Sequence, residues 1–452
     1  MDNLIPAYYT EFGRGITRFQ AIPFYIDALK PVHRRILLGA HEVANKSFTK
    51  SAKVVGHVIA NYHFHGDAAV YQTMVLMVQQ GYLIGQGNWG APGVIEDSPA
   101  AAYRYTECKL APWVEELAFK YIKYVDWDAY ESHAVEPLYL PAPIPIGLIG
   151  NGVIEGIAFH TTYIPKYSAK TLFDRLFYLI DKKKRRNDWN YQCEPGCKVV
   201  DGDSEALFSK GEGQITITST LEIDNKSRSI DVIGRPYKKS YNKLFEFLDK
   251  NNIQMKDLSD SIFRMRLAFS ATNWNKISKN METFLKGLVD KYLKKTHNFK
   301  CIFCDENGTV DIYPLDSIIM NSYEYWKKAK LNKLHSDYKK EIQALIDALI
   351  ISDIRKILSK KKNINSIQSI VTELKTPFQI KLPIVDGVSN EAIEVTEEMV
   401  VDVCNRYNIK RLIEVDLNIN DIISSANELY NQIQHIDDVA LEEAVSLSKL
   451  FK

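Results

Sequence analysis

Three short helical patterns crowd into one stretch of this chain, at residues 32–43, 52–60 and 68–79, in a region broken repeatedly by Gly and Pro. The last two are joined by a tight turn ending in Gly66, so one helix must cross the other almost at once, the layout of a helix-turn-helix. A helix held in this way can lie in or against a DNA groove. The rest of the chain must be built around that unit.

Three regions follow from the patterning. Residues 1–166 are rich in Gly, Tyr and His. Residues 167–320 mix the two periods, with alternation at residues 214–223, an amphipathic helix at 241–248, and a strand pair at 299–303 and 309–313 around the turn Asp305-Glu306-Asn307-Gly308. Residues 321–452 are helical and charged. One stripe runs through Leu331, Leu334, Tyr338, Ile342, Leu345 and Leu349, and another through Ile419, Ile422, Ala426, Leu429, Ile433 and Ile436. Two such helices can pair as an antiparallel coil, although stripes this short also serve as ordinary core faces of a bundle. The class is α+β and multidomain.

Composition removes several alternatives. No apolar run approaches the roughly 18 residues a membrane span needs, and Met1-Asp2-Asn3-Leu4 lacks the pattern of a signal peptide. Six scattered cysteines suit a reducing compartment, so a cytoplasmic location is expected. The net charge of +1 points to no polyanionic partner by itself, but basic residues cluster at residues 30–35, 50–53 and 182–186.

The densest set of reactive side chains is Lys30-Pro31-Val32-His33-Arg34-Arg35, then Tyr62-His63-Phe64-His65-Gly66-Asp67, then Ala102-Tyr103-Arg104-Tyr105-Thr106-Glu107. A phenol can attack phosphorus, but with an ordinary pKa near 10 it needs a base or neighbouring cations to do so at neutral pH. Arg104 and the cluster at residues 30–35 supply cations, which would also offset charge developing on phosphate oxygens. Metal hydrolysis is the rival chemistry, because His63-x-His65-x-Asp67 begins like the ligand run of binuclear zinc hydrolases. That run continues with a histidine, and here Ala68 follows. Cys193-x3-Cys197 and Cys301-x2-Cys304 have no neighbouring His and read as structural thiols.

At these residues the sequence resembles the gyrase A and topoisomerase IV ParC subunits, the DNA-cleaving subunits of type IIA topoisomerases, and their phage counterparts. The resemblance rests on Leu29-Lys30-Pro31-Val32-His33-Arg34-Arg35, Lys50-Ser51-Ala52-Lys53-Val54-Val55-Gly56, Tyr62-His63-Phe64-His65-Gly66-Asp67-Ala68-Ala69-Val70-Tyr71, Gly85-Gln86-Gly87-Asn88-Trp89-Gly90 and Ala101-Ala102-Tyr103-Arg104-Tyr105-Thr106-Glu107. It implies that Tyr105 is the cleaving nucleophile with Arg104 assisting, and that Lys30, His33, Arg34, Arg35, Lys53, His63 and His65 bind DNA phosphates around it. It also implies that Ile164, in Thr162-Tyr163-Ile164-Pro165, wedges between base pairs to bend the duplex. The implied fold is a winged-helix breakage-reunion domain at 1–166, a tower domain at 167–320 beginning near Ser204, and a coiled coil with a dimerising exit gate at 321–452. In this setting the two helical stripes are expected to form that coil, and Asp201-Gly202-Asp203-Ser204, which looks like a metal-binding Toprim signature, is expected to be a turn.

Two departures matter. Gln20 stands where the family carries an arginine, with Arg18 as a possible substitute. Ala68 and Gln72 replace the hydroxyl and acidic residues that support quinolone binding, so weak quinolone sensitivity is expected.

The sequence shows neither a Gly-x4-Gly-Lys-Ser/Thr loop nor a Toprim domain. The resemblance therefore implies a second subunit, gyrase B or ParE-like, that binds ATP and holds Mg²⁺, in an A2B2 assembly dimerised through the coiled-coil gate and acting on double-stranded DNA. Because the chain ends after the coil, relaxation and decatenation are expected over supercoiling. Its many Lys, Asn and Ile residues suggest a phage or other virus. The contrasting expectation is a non-catalytic DNA-binding protein on the same scaffold.

Overall fold

The computed structural model describes residues 21–129, 135–157, 161–182, 189, 191–360, 366–388, 392–407, 412 and 418–451. Arg18, Gln20 and the basic residues 183–186 lie outside these. The chain divides into two compact units, residues 1–326 with 444–452, and residues 327–443.

Each expected helix of the opening region forms: α1 over Pro31–Ala44, α2 over Ser51–Asn61 and α3 over Asp67–Gln79. Pro31 occupies the first turn of α1, where its fixed φ fits and its missing N–H costs nothing. A Cβ on Gly39 would come within 2.6 Å of Val58 Cγ2, so glycine is what lets α1 and α2 approach this closely. Ile36, Leu37, Val54, Val58, Val70 and Met74 from the three helices are buried. Three short strands, β1 over Thr49–Lys50, β2 over Leu83–Gln86 and β3 over Glu107–Leu110, form an antiparallel sheet with β3 in the centre. Its register places both Lys50 and Gln86 opposite Glu107, two residues beyond Tyr105.

The second region of this unit is built on an eight-stranded sheet whose main path runs Gln254–Asp257, Arg264–Ala268, Ser229–Ile233, Glu212–Asp224, Lys294–Lys300, Thr161–Pro165 and Val153–Ile157, with Cys197–Gly202 also paired to Glu212–Asp224. The expected alternation at residues 214–223 lies within the long strand Glu212–Asp224, and the expected helix at 241–248 is observed at Asn242–Lys250. The single strand expected at residues 299–303 is divided. Phe299 pairs with Gly213 in the large sheet, whereas Ile302–Cys304 pairs with Val310–Ile312 in a separate hairpin. The division falls at Cys301, whose N–H is taken by Gly211 O at 2.8 Å. Asp203 caps the helix Ser204–Lys210 by accepting from Ala206 N at 3.0 Å, so its carboxylate serves a helix start.

The first apolar stripe lies on the helix Leu315–Lys360, and the second on Ile419–Gln434, with Ile436 opening the next helix Ile436–Ser448 after a break at His435. Within residues 327–443, Leu345 and Ala426 are buried together with Leu382 and Val385, flanked by Ile342, Leu349, Ile419 and Ile422. Lys327 pairs with Asp437 at 2.8 Å, and the Tyr338 and Tyr430 rings lie 5.9 Å apart. As one partner's number rises the other's falls, so the two stripes meet in antiparallel sense. No helix among the described residues is long and apolar enough to cross a membrane.

Candidate active site

Tyr105 stands on the turn that leads into β3, with 66% of its surface exposed. Its backbone N–H bonds Ala102 O at 2.8 Å. The next residue anchors the turn: buried Thr106 donates to Ser51 Oγ at 2.8 Å, lies 2.9 Å from the Tyr71 hydroxyl, and accepts from Ser51 N through its carbonyl at 3.0 Å. Tyr71 also donates to Ala101 O at 2.6 Å. The phenol is thus presented to solvent from a backbone locked on both sides to α2 and α3.

The Arg104 guanidinium carbon lies 4.7 Å from the Tyr105 ring centroid. A cation over a ring face favours electron density there and stands ready for a phosphate arriving at the hydroxyl. Tyr103 turns the other way and donates to Asp67 Oδ2 at 3.0 Å, which ties the turn to the start of α3, two residues after His65. Asp67 Oδ1 also accepts from Ala68 N at 2.9 Å. The side chain that would complete a His-x-His-x-Asp metal site is therefore engaged in local structure.

Arg34 and Arg35, expected to bind phosphate, lie inside the fold. Both are 1% exposed. Arg34 makes a two-pronged contact to Asp27, Nε to Oδ2 at 2.8 Å and Nη2 to Oδ1 at 3.0 Å, beneath the rings of Phe24 and Tyr139. Arg35 clasps Glu136 at 2.7–3.0 Å. Each guanidinium is therefore held by a carboxylate of the fold itself. Arg35 still reaches the site indirectly, because its Nη1 donates to His63 Nδ1 at 2.9 Å. Since guanidinium only donates, that ring nitrogen accepts, and the proton of a neutral His63 lies on Nε2. Burial, then the charges of Arg35 and His65, push the His63 pKa down to about 4. The His65 ring sits 4.4 Å from that of His63 on the exposed side.

Lys30 and His33 occupy the start of α1. His33 is pushed down to about 3 by burial and by Lys30, Lys166 and Arg34. Burial also lowers Lys30, against the attraction of Glu155. Among the described residues, Tyr105 has no hydrogen bond or ion pair to residues 30–35. Lys53 is exposed on α2, and neighbouring Lys50 pairs with Glu107 at 2.8 Å. Ile164, expected to wedge between base pairs, is fully buried and paired across the hairpin with Ile154.

Three residues of this neighbourhood escaped sequence reasoning. Asp27 and Glu136 neutralise the arginines, and Lys166, 5% exposed, donates to Gln80 Oε1 and lies over the Tyr82 ring. The Lys166 contacts lie 84 and 86 residues away and the Arg35–Glu136 pair spans 101, so no local pattern marks them.

Residues 20–445 match the family model of the A subunits of DNA gyrase/topoisomerase IV. Similar proteins include the DNA gyrase A subunit of Brachyspira hyodysenteriae, 33% identical over 52% of this chain and 30% of that protein. The DNA gyrase A subunit of Campylobacter jejuni is 33% identical over 54% of this chain and 30% of its own length. The DNA topoisomerase 4 A subunit of Synechocystis is 33% identical over 48% and 25%. The aligned stretch thus spans less than a third of these curated relatives. Because the family model extends over nearly all of these residues, including the turn that presents Tyr105, the chain belongs to the DNA gyrase/topoisomerase IV A-subunit family.

Proposed function

We propose that this chain is the DNA-cleaving and rejoining subunit of an ATP-dependent type IIA topoisomerase, with Tyr105 as nucleophile. The observation that carries the reading is the exposed phenol on an anchored turn with the Arg104 guanidinium over its ring. The Tyr105 oxygen attacks a backbone phosphorus as its proton leaves. The bond to the 3′ oxygen breaks, that oxygen departs as a hydroxyl, and the 5′ phosphate stays on the tyrosine. The phosphotyrosine diester conserves the energy of the broken bond, so the reverse attack reseals the strand. Arg104 offsets charge on the phosphate oxygens. Depressed pKa values make His33 and His63 neutral hydrogen-bond donors at pH 7, while Lys30 and Lys53 contribute cations toward the duplex.

Two copies of the chain give the two breaks of a double-strand gate, through which a second duplex passes. The helices α1–α3 with the β1–β3 sheet support a winged-helix reading of the cleavage region, the sheet strands between Cys197 and Lys300 are read as part of the tower, and the antiparallel helices are read as the coil before a dimer gate. Among the described residues no group of three or more His, Cys, Asp or Glu side chains could hold a metal ion. Mg²⁺ and ATP are assigned to a gyrase B or ParE-like partner in an A2B2 assembly in the cytoplasm.

The direct test is detergent trapping of cleavage with a gyrase B or ParE-like partner, supercoiled plasmid and Mg²⁺. Wild type should yield linear DNA covalently bound to protein, and Tyr105→Phe none. DNA binding without a trapped product, beside a partner shown to be active with a different cleaving chain, would leave a non-catalytic DNA-binding protein.

A further inference from the structure

The segment that precedes Tyr105 is fastened to the neighbouring sheet region by more contacts than a surface loop needs. Ala91 and Ser98 exchange both backbone hydrogen bonds, at 3.1 and 2.8 Å, and close the base of a loop. Gly90, at φ +83°, sits at that base, where a Cβ would come within 2.9 Å of Ser98 O. From the base the chain passes through Ala101, held by Asn88 O at 3.0 Å, directly into the turn of Tyr105.

The tip of the loop is inserted elsewhere. Val94 is 2% exposed and belongs to the apolar core formed by Ile230, Val232, Phe263 and Met265 of the sheet region. Its N–H donates to Asp257 Oδ2 at 2.9 Å. Asp97 accepts from Arg235 Nη2 at 2.7 and 2.9 Å, and Arg235 Nη1 donates to Gly93 O at 3.3 Å. Asp97 also takes the Gly93 N–H at 3.0 Å, which folds the loop around its own anchor.

A half-exposed ion pair adds little to stability, and an apolar plug alone would hold the loop in place. The fork between Arg235, Asp97 and the Gly93 carbonyl adds direction instead, since its bonds fix how the loop is oriented on the sheet region. We propose that residues 91–98 form a positioning clamp, in which Val94 and the Asp97–Arg235 pair hold the Tyr105 turn at a set orientation to the sheet region and so set its approach to the scissile phosphate. The proposal rests on the cleavage reading above. Val94, Asp97 and Arg235 are positioning residues that act through the backbone.

The test uses the full chain with its ATP-binding partner and supercoiled plasmid, comparing wild type, Asp97→Asn, Arg235→Gln, the double variant, and the exchanged pair Asp97→Arg with Arg235→Asp. At saturating DNA, each single variant should lower the trapped linear product by about ten- to a hundredfold, a misplacement of about 1 Å costing on the order of 10²-fold. DNA affinity and the melting temperature should stay at wild-type values. The double variant should be no worse than the weaker single one, and the exchanged pair should recover part of the lost cleavage. Wild-type cleavage in both single variants would overturn the clamp alone, and so would a loss of DNA affinity equal to the loss of cleavage, because the pair would then be contacting DNA. Absence of trapped product from the wild type with an active partner would overturn the cleavage reading and the clamp with it.

Discussion

Replacing Asp27 with asparagine separates the structural role of Arg34 from a phosphate-binding one. Asp27 is fully buried and accepts four hydrogen bonds: two from Arg34, one from Leu29 N at 3.0 Å and one from Leu140 N at 3.1 Å. The amide keeps the shape, removes the charge and turns one acceptor into a donor facing other donors. Arg34 is then left as a buried cation without its counter-charge, a situation that costs about 3–5 kcal/mol. With a urea dependence on the order of 3 kcal/mol/M, the unfolding midpoint of the first unit should fall by about 1–1.7 M. The companion assay is the salt dependence of DNA binding, in which each lost phosphate contact lowers the slope by about 0.9. Asp27 cannot touch DNA, and if Arg34 is wholly structural, the slope for Asp27→Asn measured well below the unfolding midpoint should equal that of wild type. An unchanged midpoint, together with a slope reduced by about one in Arg34→Gln, would refute the reasoning and return Arg34 to the DNA surface.

Other outcomes follow from burial and charge. The folded pKa values of His33 and His63, about 3 and 4, lie below the unfolded value near 6.5, so the unfolded chain binds more protons between these limits and stability should fall as pH drops through that window. A chemical-denaturation series from pH 7 to 4 should show the decline, and His63→Gln should flatten it; an unaltered slope would remove His63 as its source. Burial pushes Lys166 down to about 7, so at pH 8 its desolvation costs roughly 3 kcal/mol against two hydrogen bonds of about 1 kcal/mol each. Lys166→Met should therefore stabilise by about 1 kcal/mol at pH 8 and remove the rise in stability between pH 7 and 10, and a destabilised variant would show that the lysine is held by interactions beyond those two. Ile164→Ala should cost about 2–5 kcal/mol in unfolding free energy, as for other buried aliphatic truncations, and a melting curve equal to wild type would mean that Ile164 leaves the core. Ala68 and Gln72 are exposed on α3 without the hydroxyl and acid of drug-sensitive relatives, so a fluoroquinolone should trap little cleaved DNA; potent trapping would show that other residues hold the drug.

Elements whose causes are local could be read from the order of residues alone. The helices at residues 32–43, 52–60 and 68–79 are all observed with ends shifted by one residue or less, because Pro31, Gly66 and the apolar spacing act within a few residues of where they stand. The motif around Tyr105 was legible for the same reason, and so were the two stripes that meet in antiparallel sense. Tertiary structure alone decided what each charged or apolar side chain faces. Arg34 and Arg35 look like a phosphate-binding run, yet Asp27 and Glu136 enclose them, and Ile164 looks like a wedge, yet a strand pairing with Ile154 buries it. Nothing around Val94 announces that it enters the core of a region more than 130 residues away. Burial and ion pairing depend on what the rest of the fold brings alongside, and that information is spread across the chain rather than carried by any one motif.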